Sequence, residues 1–217
     1  MKFKSILIVT YGRSGSTLLQ GILNSIDGCV VRGENYNFCL GLFESYKSMI
    51  RAKRNHCDSP QSPWYGSDWD ESLFLRRISD MMRELLLQKD LDKDKVDCYG
   101  FKEIRYVDLI EEDFGAYLDF LKKIFPNVAF IFNTRNLENV VGSAWWRQNP
   151  EESLVKLRKA ERMFQAYMAT HDNCYRIDYS DMVTQSARLV RMFDFIGARY
   201  SREKISEILS IPHSYTE

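Results

Sequence analysis

The sequence predicts an α/β fold of three layers, with a mostly parallel central sheet flanked by helices. Two observations carry that prediction. Short apolar runs alternate along the chain with stretches of helical periodicity, the pattern of strand–crossover–strand units. Runs such as Ile6-Leu7-Ile8-Val9 and Ala129-Phe130-Ile131-Phe132 are apolar at every position, as a fully buried strand is. At 217 residues and 45% apolar composition the chain can bury a substantial core, and one domain over residues 1–217 is expected.

The elements follow in order. A strand over residues 5–10 runs into a glycine-bearing turn, and a helix over 17–26 starts behind it. A second strand covers 29–32 and a helix 37–54. Residues 58–70 hold two Pro, one Gly and two Trp and are expected as an irregular loop. A helix over 71–88 leads through a charged connector, 88–97, to a strand over 98–102. Next come a helix over 115–124, a strand over 128–133 and helices over 137–146 and 151–170. A strand over 173–178 precedes a helix over 179–195, for which Gly197 is a simple C-cap, and a last helix over 202–209. No repeat, low-complexity tract or linker composition marks a second domain. Residues 35–97 form a mainly helical insert and loop.

Lys plus Arg and Asp plus Glu number 30 each, so the formal net charge is zero. A nucleic-acid binder normally carries a basic footprint, so no such partner is expected. A local basic pocket for an anionic cofactor remains compatible with the neutral total. The five cysteines are Cys29, Cys39, Cys57, Cys98 and Cys174, an odd number with no C-x-x-C pair. Free thiols in a reducing compartment are the simplest reading, and no metal site is expected. The first apolar stretch ends in a turn after about five residues, too short for a signal-peptide core. No run approaches the ~20 apolar residues of a membrane span. A cytoplasmic protein is expected.

Tyr11-Gly-Arg-Ser-Gly-Ser-Thr-Leu-Leu19 directly follows the first strand. A strand, a glycine turn and a helix start aim several backbone N–H groups at one spot, which suits phosphate or sulfate. Aligning Gly15-Ser16-Thr17 with the G-K-[ST] end of a P-loop puts Ser16 at its lysine and Thr10 at its first glycine. The cation sits earlier, at Arg13. The loop is P-loop-like but lacks the lysine on which a kinase or ATPase relies. Taken alone, it also fits an ordinary turn with Gly for φ > 0 and Ser/Thr as caps. A second segment decides between these readings. Behind the strand over 128–133 comes Thr134-Arg135-Asn136, and Ser143 lies eight positions after Arg135. If a helix begins near Leu137, Ser143 sits on its second turn and can point back toward a group held by Arg135.

Together the two segments resemble the 5′-phosphosulfate loop and the 3′-phosphate-binding segment of sulfotransferases that use 3′-phosphoadenosine 5′-phosphosulfate. They stand in the right order, about 120 residues apart, each behind a strand. Tyr175-Arg-Ile-Asp-Tyr179-Ser-Asp-Met182 is similar to that family's Y-E-D-L segment, and Phe193-Asp-Phe-Ile-Gly197 to its F-L-G helix end. The resemblance spans residues 6 to about 197. It implies sulfuryl transfer to a hydroxyl acceptor, a saccharide or other small molecule, leaving adenosine 3′,5′-bisphosphate, with no metal. It assigns Gly12, Arg13, Ser14, Gly15, Ser16 and Thr17 to the 5′-phosphosulfate, and Arg135 and Ser143 to the 3′-phosphate. One departure stands out. Many cytosolic members place an Arg-Lys-Gly segment near the C-terminus, where this chain has Ile211-Pro-His-Ser-Tyr215. His213, Ser214 and Tyr215 are the candidates to replace it.

The catalytic candidates are Glu34, Arg13 and Lys102. Glu34 follows the second strand, so it lies at the carboxyl edge of the sheet, where ligands of such folds bind. Its spacing from Arg13 and the Gly33-Glu34 pair resemble tyrosylprotein and some bacterial carbohydrate sulfotransferases, which implies that Glu34 is the base. Arg32 is placed to hold that carboxylate or the sulfate. Lys102 can reach the bridging oxygen or the sulfuryl group, with Glu103 a competing base and Arg105 a competing anion ligand. Of Trp145 and Trp146, one belongs to the core and the other faces adenine or acceptor. His56, His171 and His213 lack metal-ligand spacing, and none lies where a His base would be expected. Acceptor selectivity falls to residues 35–54 and 58–70, where Trp64, Tyr65 and Trp69 can stack on sugar or phenol rings. Two rival readings remain. One is a P-loop kinase, opposed by the missing lysine and the lack of an acid to hold Mg²⁺. The other is a nucleotide-binding module without catalysis, opposed by Glu34.

Overall fold

The computed structural model describes residues 1–87 and 92–211. His213, Ser214 and Tyr215, and residues 88–91 of the connector, lie outside them. Five strands form the sheet: β1 (Ser5–Val9), β2 (Cys29–Arg32), β3 (Cys98–Glu103), β4 (Val128–Thr134) and β5 (Cys174–Asp178). Their spatial order is β2-β3-β1-β4-β5, and every pairing is parallel. Val9 stands level with Glu103 on one side and Phe132 on the other. The chain therefore leaves β1, β3 and β4 at nearly one height.

The helices are α1 (Ser16–Asn24), α2 (Phe38–His56), α3 (Glu71–Leu86), α4 (Glu111–Ile124), α5 (Leu137–Val141), α6 (Pro150–Met168), α7 (Tyr179–Val183), α8 (Ala187–Ile196) and α9 (Arg202–Leu209). Alternate residues of each strand point to opposite faces. Leu7, Val9, Phe101, Phe130 and Phe132 pack against buried side chains of α2, α3, α4 and α6. Ile6, Ile8, Val31, Ala129 and Ile131 pack against those of α1, α8 and α9. Both faces are covered, which is why β1 and β4 read as continuous apolar runs rather than alternating. Helix α1 leaves β1 toward one face. Helices α4 and α6, which follow the flanking strands β3 and β4, lie on the other. Such a divergence opens a crevice at the carboxyl end of the strand between them. Among the described residues no helix is long and apolar enough to cross a membrane.

Two expected helices are broken. The helix over 137–146 stops at Val141, Ser143 is extended (φ −119°, ψ 139°), and a 3₁₀ turn covers Ala144–Gln148. Paired β-branched valines followed by Gly142 are weak helix formers. The buried Trp146 indole also donates to the Gly12 carbonyl at 3.0 Å, which requires the chain to turn inward. The helix over 179–195 divides into α7 and α8 around Gln185 (φ 48°), with Ser186 capping the second piece. Helix α4 begins at Glu111, before the expected residue 115, with three acids in its first turn favouring its positive end.

Candidate active site

The loop after β1 is stitched to β4 from beneath. Thr10 Oγ1 donates to the Asn133 carbonyl at 2.7 Å, and the Ser14 hydroxyl lies 2.7 Å from Thr10 Oγ1 and donates to Asn133 Oδ1 at 3.1 Å. All three residues are buried. The Ser14 hydroxyl is thus turned into the fold, and what Ser14 offers a ligand is its N–H. Arg13 (φ 69°) and Gly15 (φ 83°) adopt left-handed conformations, which curl successive N–H groups toward one point. The N–H groups of residues 13–17 have no acceptor among the described residues. Cβ atoms at Gly12 and Gly15 would collide with the rings of Trp145 and Tyr179. Only glycine lets those rings lie against the loop.

The second wall comes from the end of β4. The Arg135 N–H donates to the Tyr11 hydroxyl at 3.1 Å, and that hydroxyl donates to Glu161 Oε1 at 2.8 Å. Burial, reinforced by the Glu161 charge, pushes the Tyr11 phenol far above its ordinary value and keeps it neutral. Tyr11 is therefore a strut rather than an acid. The Arg135 guanidinium lies over the Tyr179 ring, 4.3 Å from its centroid, and Nη1 donates to the Arg13 carbonyl at 3.2 Å. Its Nε is buried and has no partner among the described residues. Arg13 Nε in turn donates to Ser143 Oγ at 2.9 Å. Arg13 therefore meets both Arg135 and Ser143, a contact between the two segments that the sequence did not anticipate. Ser143 arrives from the extended break after α5 rather than from a second helical turn.

Glu34 and Lys102 form the other rim. Lys102 Nζ donates to Glu34 Oε1 at 2.9 Å and lies 3.4 Å from Thr17 Oγ1. Its side chain is only 9% exposed, against 33% for Glu34. With Gln20, Asn24 and Gly33 they line a cleft of about 430 Å³. Strand β3 stands between β2 and β1, so Glu34 is not directly beside the first loop; Lys102 connects them. A larger cleft of about 650 Å³ lies by α9 and the N-terminus and holds none of these groups.

Three neighbouring expectations change. Arg32 Nε donates to the Leu86 carbonyl at 2.9 Å, satisfying an orphaned oxygen at the end of α3, and holds neither Glu34 nor the anion loop. Glu103 is fully buried and accepts from the N–H groups of Ile104 (2.8 Å), Arg105 (3.1 Å), Asn37 (3.1 Å) and Asn35 (3.2 Å). Arg105 Nη1 adds a contact at 3.3 Å. A carboxylate so saturated and enclosed is a structural anchor, not a competing base. Trp64, Tyr65 and Trp69 lie beyond the far end of α2, whose 19 residues carry the chain ~28 Å from Glu34. Burial, with the Glu103 charge adding, pushes the nearby Cys39 thiol up to about 12, so it is no nucleophile.

Sequence reasoning missed Tyr11 as a strut and Tyr179 as a wall, although both lay inside quoted motifs. It left open which tryptophan was which. Trp146 is core, and the half-exposed Trp145 lies on Gly12.

The sequence profile of the sulfotransferase family matches residues 5–202. The sulfotransferase domain from the Synechococcus PCC 7002 olefin synthase superposes with a TM-score of 0.57 at 18% identity, covering 98% of this chain and 79% of that one. The sulfotransferase domain from the curacin biosynthetic pathway gives 0.52 at 13% identity, with 96% and 78% covered. At such identities the likeness is one of fold. Comparison with curated protein sequences gave no match. By a family profile that covers nearly all of its length, the chain belongs to the sulfotransferase family.

Proposed function

We propose that the protein transfers a sulfuryl group from 3′-phosphoadenosine 5′-phosphosulfate to a hydroxyl acceptor, a saccharide or other small molecule, leaving adenosine 3′,5′-bisphosphate. The observation that carries this reading is the meeting of Arg13, Arg135 and Ser143 beside a loop with unpaired N–H groups. The residues fit such a nucleotide. Gly12 and Gly15 let the Trp145 and Tyr179 rings wall the loop, and the loop N–H groups with Ser16 and Thr17 suit the 5′-phosphosulfate. The buried, unpartnered Nε of Arg135 is a donor suited to an anion, and Ser143, held by Arg13, adds a hydroxyl for the 3′-phosphate.

Bound there, the donor supplies an activated sulfuryl group on its 5′-phosphate. The loop N–H groups and Arg13 stabilise the negative charge that grows on the phosphate side as transfer proceeds. Glu34 takes the proton from the acceptor hydroxyl. Lys102 lies between Thr17 and Glu34, where it aligns the base with the loop and places a cation on the acceptor side. Arg13, Lys102 and Arg135 provide the positive charge, and in this reading no metal takes part. Residues 1–217 act as one domain, and the free thiols among the described residues suit a cytoplasmic setting.

The test is transfer of labelled sulfate from the donor to a panel of sugars, aliphatic alcohols and phenols, with and without EDTA. Label should reach a hydroxyl acceptor, and EDTA should leave the rate unchanged. Mg²⁺-dependent phosphoryl transfer from ATP would establish a kinase instead. Donor binding without transfer to any acceptor would establish an inactive binding module.

A further inference from the structure

Residues 35–37 directly follow Glu34, which lines the cleft, and Arg105 links Tyr36 to it. Tyr36 and Asn37 both adopt left-handed backbone conformations, with φ of 56° and 59°. For a bulky residue such as Tyr36 this is a true outlier, kept only when the surroundings enforce it. Glu103 enforces it. One oxygen of its buried carboxylate accepts the N–H groups of both Asn35 and Asn37, the two residues that flank Tyr36. The outcome is an aromatic ring held outward, 80% exposed, where a large apolar side chain gains nothing from burial.

The ring is nonetheless placed with care. The Arg105 guanidinium lies on one face, 4.3 Å from the ring centroid. The same guanidinium stands 3.6 Å from Glu34 Oε2 and 3.3 Å from Glu103 Oε1. Arg105 thus fixes the ring and the carboxylate relative to each other, and the outer face of the ring remains open. A pyranose presents an apolar C–H face and carries its hydroxyls at the edge. Stacked on an aromatic ring, it would aim a hydroxyl sideways, toward Glu34. The base points the same way, because an aliphatic alcohol is a far weaker acid than a phenol and depends more on proton removal.

We propose that Tyr36 is the acceptor-stacking residue and that the acceptor is a pyranoside laid on its open face, with Glu103 and Arg105 as the positioning residues. The proposal rests on the sulfuryl-transfer reading but concerns the acceptor alone. It explains a strained backbone that otherwise brings no benefit, since glycine at this position would adopt the same φ without strain.

The experiment is saturation-transfer difference NMR on the full chain with adenosine 3′,5′-bisphosphate and a panel of methyl pyranosides. The ring C–H protons of at least one sugar should receive saturation in the parent and in Tyr36→Phe. The signal should fall at least about threefold in Tyr36→Ala and Tyr36→Gly, the loss of one stacking platform. Tyr36→Gly should also melt at a temperature equal to or above the parent's, which separates lost stacking from lost folding. Absence of saturation on every pyranoside, or a signal unchanged in Tyr36→Ala, would overturn the proposal. Label transfer to a phenol or an acyclic alcohol in that case would leave sulfuryl transfer standing. Tyr36-dependent sugar binding without transfer of label would sustain the stacking site and count against the transfer reading alone.

Discussion

The donor side of the cleft hangs on one turn: Thr10, Ser14 and Gly15 lie within a strand-loop-helix unit, and Asn133 locks it from the neighbouring strand. The acceptor rim has no such unit. Glu34 owes its place to Lys102, 68 positions away, and its loop owes its shape to Glu103. One side is a preformed anion cradle set mostly by local backbone geometry. The other is a side-chain network whose parts come from β2, β3 and the insert. The difference teaches that binding and chemistry should separate on mutation. Changes at Arg135 and Ser143 should alter affinity, a change at Arg13 both affinity and turnover, and rim changes turnover or folding.

The largest expected effect breaks the comparison most cleanly. Glu34→Gln keeps the shape and removes the proton acceptor, so turnover should fall by ~10²–10⁴-fold while donor affinity stays nearly intact. Parallel losses of turnover and donor affinity would show that the rim is not separate from the cradle. Glu103→Gln comes next. An amide cannot satisfy four buried backbone donors and a guanidinium, so stability should drop by about 1–3 kcal/mol, read by denaturant unfolding. A Glu103→Gln variant that folds as firmly as the parent but is inactive would move the base to β3.

On the donor side Arg135→Ala should weaken adenosine 3′,5′-bisphosphate binding by ~1.5–3 kcal/mol, the scale for hydrogen bonds to a charged group. Calorimetry measures it directly. Ser143→Ala removes one neutral hydroxyl and should have a smaller effect, about 0.5–1.5 kcal/mol. A Ser143→Ala variant weaker than Arg135→Ala would reverse their assigned ranks.

The same contrast explains what was legible in the sequence. The strands, the P-loop-like turn and the Arg135–Ser143 spacing are written in short motifs. The order of the strands in the sheet is not written in those motifs; it emerges only in the fold. The break at Gly142 was only partly legible: the two valines and the glycine weaken the helix locally, but the inward turn depends on Trp146 reaching the Gly12 carbonyl from 134 positions away. Arg32 was misplaced for the same reason, since the end of α3 offers it a carbonyl that no local pattern announces. The acceptor aromatics were sought in Trp64, Tyr65 and Trp69, where composition concentrates them. The length of α2 carries them away from Glu34, while Tyr36, two residues after Glu34, is also exposed. Glu103 looked like a second candidate base because nothing in a lone Glu reveals that four N–H groups surround it.

The central claim is that Arg13, Arg135 and Ser143 form a grip for a nucleotide bearing a 3′-phosphate. The most direct measurement compares melting temperatures with adenosine 3′,5′-bisphosphate and with ATP at equal concentration, in EDTA. A ligand that binds the folded state stabilises it by mass action. The account predicts a clear rise with the bisphosphate, a smaller one with ATP, and loss of the difference in Arg135→Ala. Equal shifts from both nucleotides, or a difference that survives in Arg135→Ala, would contradict it.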